Sequence, residues 1–252
     1  MGLETPSIVL VQGSFQTPLV YAQLTTGLRE LGYSVIHPSL PSCSNVEADD
    51  FPTRTLENDA RAITEALEQL VEREEKLVVV VMHSYGGIVG GTAIPRSLTH
   101  ASRQSEGKKG SVWHSFYYAA FVLPEGASVM GTFGESPNND PNGRFRIKNG
   151  AKTLYSDLPH AEAALWESCL IPQSYLVQTT PTTRAAYGYL PSTYLICEGY
   201  QAAPAQFQEG FASLARAKID RCSAGHSPML SQPDMLVRMI AAVVDKASAG
   251  TA

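Results

Sequence analysis

The stretch Lys76-Leu-Val-Val-Val-Val-Met-His-Ser-Tyr-Gly-Gly87 decides how the rest of the chain is read. Its apolar, β-branched run predicts a parallel strand over residues 76–82, buried on both faces. The run ends at Ser84, flanked by His83 and Tyr85, and two glycines lead into a predicted helix over 85–94 that stops at Pro95. A strand, a sharp turn and a helix form the setting that lifts a serine hydroxyl above a sheet as a nucleophile. The string departs from G-x-S-x-G, because Met82 stands where the first glycine is expected. The assignment therefore depends on the flanking sequence.

Upstream, Ser7–Val11 is a short apolar strand. Residues 18–31 have helical spacing through Leu19, Leu24, Leu28 and Leu31, closed by Gly32. A second strand spans 34–37. A long amphipathic helix spans 54–75, with Leu56, Ala60, Ile63, Leu67 and Leu70 on one face. Downstream, strands are predicted over 112–121, 192–197 and 218–222, and helices over 204–217 and 232–247. Such alternation demands right-handed crossovers, which predicts an α/β protein with a doubly wound, mostly parallel sheet of about six strands.

Residues 124–191 are too long for a plain crossover. They read as a small lid (cap) inserted into a core made of 1–123 and 192–252, placed over the carboxyl edge of the sheet where ligands bind. Within this insertion, residues 145–155 predict a hairpin around Asn149-Gly150. Residues 161–170 predict a short helix carrying Trp166. The aromatic and Met residues Met130, Phe133, Phe145, Tyr155 and Trp166 suit an apolar pocket and simple packing equally well.

Composition narrows the function classes. The 252 residues are 44% hydrophobic and 17% charged, with a formal net charge of −5. An acidic balance without a basic stripe argues against nucleic acid as a partner. The basic cluster from Arg103 to Lys109 reads as a solvated loop. The start lacks a signal-peptide pattern, and Pro6 occupies the position where a myristoylation motif on Gly2 needs Ser or Thr. No run approaches membrane-spanning length, so no membrane contact is expected and the cytoplasm is the expected location. Cys43, Cys169, Cys197 and Cys222 are scattered, which predicts free thiols rather than a disulfide framework or a metal site. G-x-G-x-x-G and the P-loop are both absent, and no cofactor is expected. The expected partner is a small-molecule substrate, and a homodimer stays open beside a monomer.

A serine hydroxyl needs a base in contact and an oxyanion site. His226 alone among the six histidines follows the last predicted strand, in Gly225-His-Ser-Pro-Met229, on the same sheet edge as Ser84. The order Ser then His suits catalysis. His37, His83, His100, His114 and His160 read as structural or exposed. The oxyanion donors would be the amides of Tyr85, at the positive end of its helix, and Ser14, where Gly13 permits the bend that aims it inward.

With these motifs the chain resembles the compact α/β-hydrolases related to plant methyl-ester esterases and hydroxynitrile lyases, and their fungal relatives, over nearly its whole length. Val9-Leu-Val-Gln-Gly-Ser14 corresponds to V-L-V-H-G-A, and His83-Ser-Tyr-Gly-Gly87 to H-S-x-G-G. Residues 194–204 correspond to the strand and loop that carry the acid, and Gly225-His226 to the catalytic histidine loop. The resemblance implies Ser84 as nucleophile and His226 as base. The acid position falls on Tyr200, which cannot supply a carboxylate. Glu125, after the fourth strand, is the favoured substitute. Glu198 is another, and a direct bond from Tyr200 to the histidine is a third. Gly13 and Ser227 stand where the lyases carry Thr and Lys, which disfavours cyanohydrin cleavage. The implied activity is hydrolysis of an ester, lactone or thioester of a small apolar metabolite. The alternatives are a lyase, isomerase or cyclase on the same pocket, or a non-catalytic ligand-binding homologue.

Overall fold

The structure, a computed structural model, describes residues 5–135 and 142–249. The first residues, Gly2 among them, and residues 136–141 of the insertion lie outside that range. The strands are β1 (Ser7–Val11), β2 (Ser34–Ile36), β3 (Leu77–His83), β4 (Ser111–Tyr118), β5 (Arg144–Phe145), β6 (Gln173–Ser174), β7 (Ser192–Cys197) and β8 (Lys218–Cys222). The helices are α1 (Ala22–Glu30), α2 (Leu56–Glu68), α3 (Gly86–Ala93), α4 (His100–Ser105), α5 (Val129–Phe133), α6 (Gly150–Thr153), α7 (His160–Ser168), α8 (Leu176–Thr179), α9 (Ala205–Leu214), α10 (Pro228–Ser231) and α11 (Pro233–Ala249).

Six strands form one parallel sheet in the order β2-β1-β3-β4-β7-β8. The winding reverses between β1 and β3, and their carboxyl ends open a crevice at that switch point. Side chains alternate across β1 and β3 as a pleated strand requires. Val9, Val11, Val78, Val80 and Met82 join the cluster under α2, α3 and α9. Ile8, Leu10, Val79 and Val81 join the cluster under α1 and α11. Burying each such side chain stabilises by roughly 1.5–3 kcal/mol. Fixing the backbone of the residue costs about 1–2 kcal/mol. A continuous run of buried valines therefore favours the central strand on its own terms.

The helix over 54–75 is α2 continued by a π turn at Gln69–Arg73. Its predicted face, Leu56 to Leu70, is buried, and a capping box joins Thr55 to Asn58. In α1 the expected face is half right. Leu24 and Leu28 are buried, whereas Leu19 and Leu31 flank the helix and are exposed. Arg103 also differs from expectation: it is buried at the end of α4, and its guanidinium donates to the carbonyls of Lys109, Gly110 and Val71. That cation clamps a loop instead of being solvated in one.

The hairpin expected at Asn149-Gly150 does not form. Asn149 adopts a left-handed φ of 54° at the start of α6, and a Cβ on Gly150 would lie 2.4 Å from Leu170 Cδ1. Gly150 thus serves close packing on the chain after α7, and Phe145 pairs with Gln173 of β6 instead of with a local return strand. Tyr155 is fully buried, and Trp166 packs at the edge of that small core. All four cysteines are free thiols. Among the described residues no helix is long and apolar enough to cross a membrane.

Candidate active site

Ser84 follows β3 with a φ of 52°, a left-handed conformation for a residue with a Cβ. Such a residue costs about 1–3 kcal/mol and persists only where its surroundings hold it. Those surroundings are visible. Ser84 O accepts from Gly87 N and Phe121 N at 3.0 Å each. A Cβ on Gly86 would meet Val11 O at 2.3 Å, and one on Gly87 would meet Phe121 O at 2.3 Å. The turn is thus pressed against the ends of β1 and the chain after β4, where only glycine fits.

Met82, the departure from the glycine pattern, is fully buried. Its Sδ lies 2.3 Å from where a Cβ on Gly90 would stand, so the long side chain occupies the space that Gly90 leaves in α3. The site is repacked around Met82.

Gly13 has a different role from the expected one. It is Phe15, with a φ of 67°, that takes the left-handed bend in the loop after β1. A Cβ on Gly13 would come within 2.9 Å of Ser84 Cβ and 3.0 Å of His83 Nδ1. Glycine is required there for approach to the serine turn.

His226 follows β8. Its Nε2 is buried with no hydrogen-bond partner, and its Nδ1 lies 3.3 Å from Ser227 Oγ. Burial, reinforced by His83, holds its pKa well below the usual histidine value, so the ring is neutral. The backbone of the loop is fixed from three sides. His83 Nε2 donates to His226 O at 2.9 Å, Asp157 Oδ2 accepts from Gly225 N at 2.6 Å, and Gly199 N donates to Ala224 O at 2.9 Å.

His83 is structural in a specific way. Because His226 O can only accept, Nε2 carries the proton, and the bare Nδ1 lies 2.7 Å from the Tyr21 hydroxyl, whose one proton also faces Gln16 Oε1 at 2.9 Å. Tyr21 Oη in turn accepts from Gly13 N at 2.8 Å. Burial lowers the His83 pKa to about 3. One neutral ring therefore links the loop after β1 to the histidine loop after β8.

Ser14, Tyr85, Ser84, His226 and Tyr200 line a single cavity of about 410 Å³. Its other walls include Phe121, Phe133, Phe145, Ile147, Phe207 and Phe211, with Glu135 and Gln178 as polar members. The Tyr200 ring stands 4.7 Å from the His226 ring, tilted by 57°, which is a ring contact and not a hydrogen bond to Nδ1. Glu198 is on the surface in an ion pair with Arg221. Glu125 is exposed and is not among the cavity-lining residues.

Two acidic residues escaped the sequence reading. Asp157, in the insertion, anchors the amide next to His226. Asp59, on α2, accepts from the Tyr85 hydroxyl at 2.9 Å. No local pattern marks Asp157. Asp59 carries a faint signal, an acid beside the apolar face of an amphipathic helix.

The comparisons with known proteins bear on the family and the fold. A model of the alpha/beta hydrolase family matches residues 8–239. The chain is 32% identical over 250 residues to the alpha/beta hydrolase nvfD of Aspergillus novofumigatus, covering 93% of this chain and 95% of that one. Among solved structures, polyneuridine aldehyde esterase superposes with a TM-score of 0.72 at 17% identity, covering 95% of this chain and 99% of that one. Tomato methylketone synthase I complexed with 2-tridecanone superposes with a TM-score of 0.74 at 15% identity, covering 96% and 99%. At these identities the two structures speak for the fold alone.

Proposed function

This chain belongs to the alpha/beta hydrolase family, and we propose that it is a serine hydrolase acting on an ester, lactone or thioester of a small, largely apolar molecule. The observation that carries the reading is the meeting of Ser84, held in a left-handed turn, with His226, whose Nε2 is buried and unpartnered, at one cavity. Ser84 Oγ attacks the carbonyl carbon as its proton passes to His226 Nε2, and the carbonyl electrons move onto oxygen. The amides of Ser14 and Tyr85 hold that oxyanion. Collapse expels the leaving group, which takes the proton from Nε2. Water repeats the steps to release the acid. The 124–191 segment acts as the lid, since it supplies Phe133, Phe145, Ile147 and Leu154 to the apolar wall.

The base is unusual in its support. Nδ1 meets Ser227 Oγ and the ring meets Tyr200, and among the described residues no carboxylate hydrogen-bonds the imidazole. Loss of that anion costs several orders of magnitude in the known triads. Slow turnover follows, and the same feature favours the second reading, in which a neutral His226 moves a proton in a lyase, isomerase or cyclase reaction.

Labelling with a fluorophosphonate tests the proposal. The wild-type chain is expected to label at Ser84, and Ser84→Ala to stay blank. Glu125→Ala and Glu198→Ala are expected to label at the wild-type rate, and Tyr200→Asp about tenfold faster as a carboxylate gains access to the imidazole. A wild-type chain that does not label ends the hydrolase reading and leaves proton-transfer chemistry.

A further inference from the structure

We infer that Asp59 is a positioning residue for the Tyr85 amide, its buried carboxylate tying the residue after the nucleophile to the lid. The inference rests on the reading that Ser84 attacks and that the Tyr85 amide receives the oxyanion.

Asp59 is the one buried carboxylate among the described residues, at 0% exposure. An isolated carboxylate in such a place is strongly disfavoured unless donors converge on it. Three do. Ser42 N donates to Oδ1 at 2.8 Å, and Ser42 Oγ at 2.5 Å and Tyr85 Oη at 2.9 Å donate to Oδ2. A carboxylate only accepts, so both hydroxyl protons must point at it. The Ser42 oxygen is then free to accept from Gln173 Nε2 at 3.0 Å.

The network therefore runs in two directions. Through Tyr85 it reaches the turn at Ser84. Tyr85 is almost fully buried in the cluster shared with α2, so a tether at the far end of its ring fixes the whole residue and the amide at its base. Through Ser42 it reaches β6, whose Gln173 pairs with Phe145 of β5, and Phe145 lines the cavity. One carboxylate thus sets the donor for the oxyanion and one wall of the substrate pocket together. A purely structural acid would need neither link.

The experiment uses the full chain and reads the second-order rate of fluorophosphonate labelling at Ser84 together with hydrolysis of p-nitrophenyl butyrate. Asp59→Asn is isosteric, and Tyr85→Phe keeps the ring while removing the hydroxyl. Each is expected to lower labelling and kcat about tenfold, with KM within about twofold, as the loss of an interaction realised in the transition state. The double variant is expected to be no slower than the slower single variant, because both break one link. Single variants that label at the wild-type rate would overturn the role of Asp59 while leaving the nucleophile intact. So would losses that multiply to about a hundredfold in the double variant, which mark two independent effects. A wild-type chain that fails to label overturns the nucleophile itself, and this role falls with it.

Discussion

The turn that carries Ser84 and the loop that carries His226 border the same cavity, yet they are held by different means. Around Ser84 the constraint is backbone against backbone: a left-handed φ, and two glycines against carbonyls of Val11 and Phe121. Around His226 it is side chain against backbone. His83 grips its carbonyl from 143 residues away, and Asp157 grips the neighbouring amide from 68 residues away. The serine corner tolerates almost no change of shape and the histidine corner almost no change of partner.

Substituting Gly86→Ala should break the serine corner outright. A methyl 2.3 Å from one carbonyl oxygen and 2.7 Å from another cannot be relieved by rotating a side chain. Destabilisation of about 4 kcal/mol or failure to fold is expected, read by urea denaturation. His83→Ala should break the other corner more gently. It strands His226 O and cuts the link from Tyr21, whose hydroxyl keeps Gly13 N and Gln16 Oε1, for about 3 kcal/mol of stability, and labelling of Ser84 should fall about a hundredfold as the base drifts. A fall in stability without a fall in labelling would show that His226 holds its place without this link.

The corners should also respond oppositely to pH. Burial raises the Asp59 carboxyl to about 6, against 3.8 for an ordinary aspartate, with Arg54 and Cys43 as the nearby charged or ionisable groups. The folded chain keeps that proton in a range where the unfolded chain has lost it. The contribution from Asp59 is therefore full below pH 4 and lost as pH rises through 6, an effect of about 3 kcal/mol. Comparing the urea midpoint of the wild type with that of Asp59→Asn from pH 4 to 7 isolates it. His83 has the reverse sign, with a folded value of about 3 against 6.5, so its contribution is present above pH 6.5 and lost as pH falls. Catalysis follows the same direction: His226 stays neutral well below the usual histidine range, so in Asp59→Asn, where no carboxyl titrates at that position, labelling is expected to stay flat from pH 8 to 6 instead of halving near 6.5.

The smallest effect is expected at Asp157→Ala. It removes an exposed acceptor from the amide of buried Gly225, for about 1 kcal/mol, read by thermal denaturation, and a rate loss of a few fold. A larger rate loss would make Asp157 the histidine loop's main anchor in place of His83.

The same contrast explains what could be read in the sequence. β1 and β7 occupy the residues that their apolar runs mark, and the buried face of α2 follows its periodicity. Local stereochemistry also marks Ser84, because a strand, a small turn and a helix are neighbours in the chain. What the sequence does not reveal is tertiary. Asn149-Gly150 looks like a hairpin turn, but Gly150 answers to Leu170. His83 carries no chemical signature, yet it joins the loops after β1 and β8. Glu125 sits at a plausible strand end, yet its side chain is exposed and lies outside the cavity wall.

The sulfur of Met82 resting over Gly90 has a consequence for how this lineage could have changed. The strand residue fills the space that the helix glycine leaves, so neither position is free to change alone. A glycine restored at 82 would open a hole, and an alanine at 90 would collide. Relatives of this protein should therefore carry the two positions as a matched pair, large with small or small with large, and a chain with both large should be destabilised as the thioether is forced from its place.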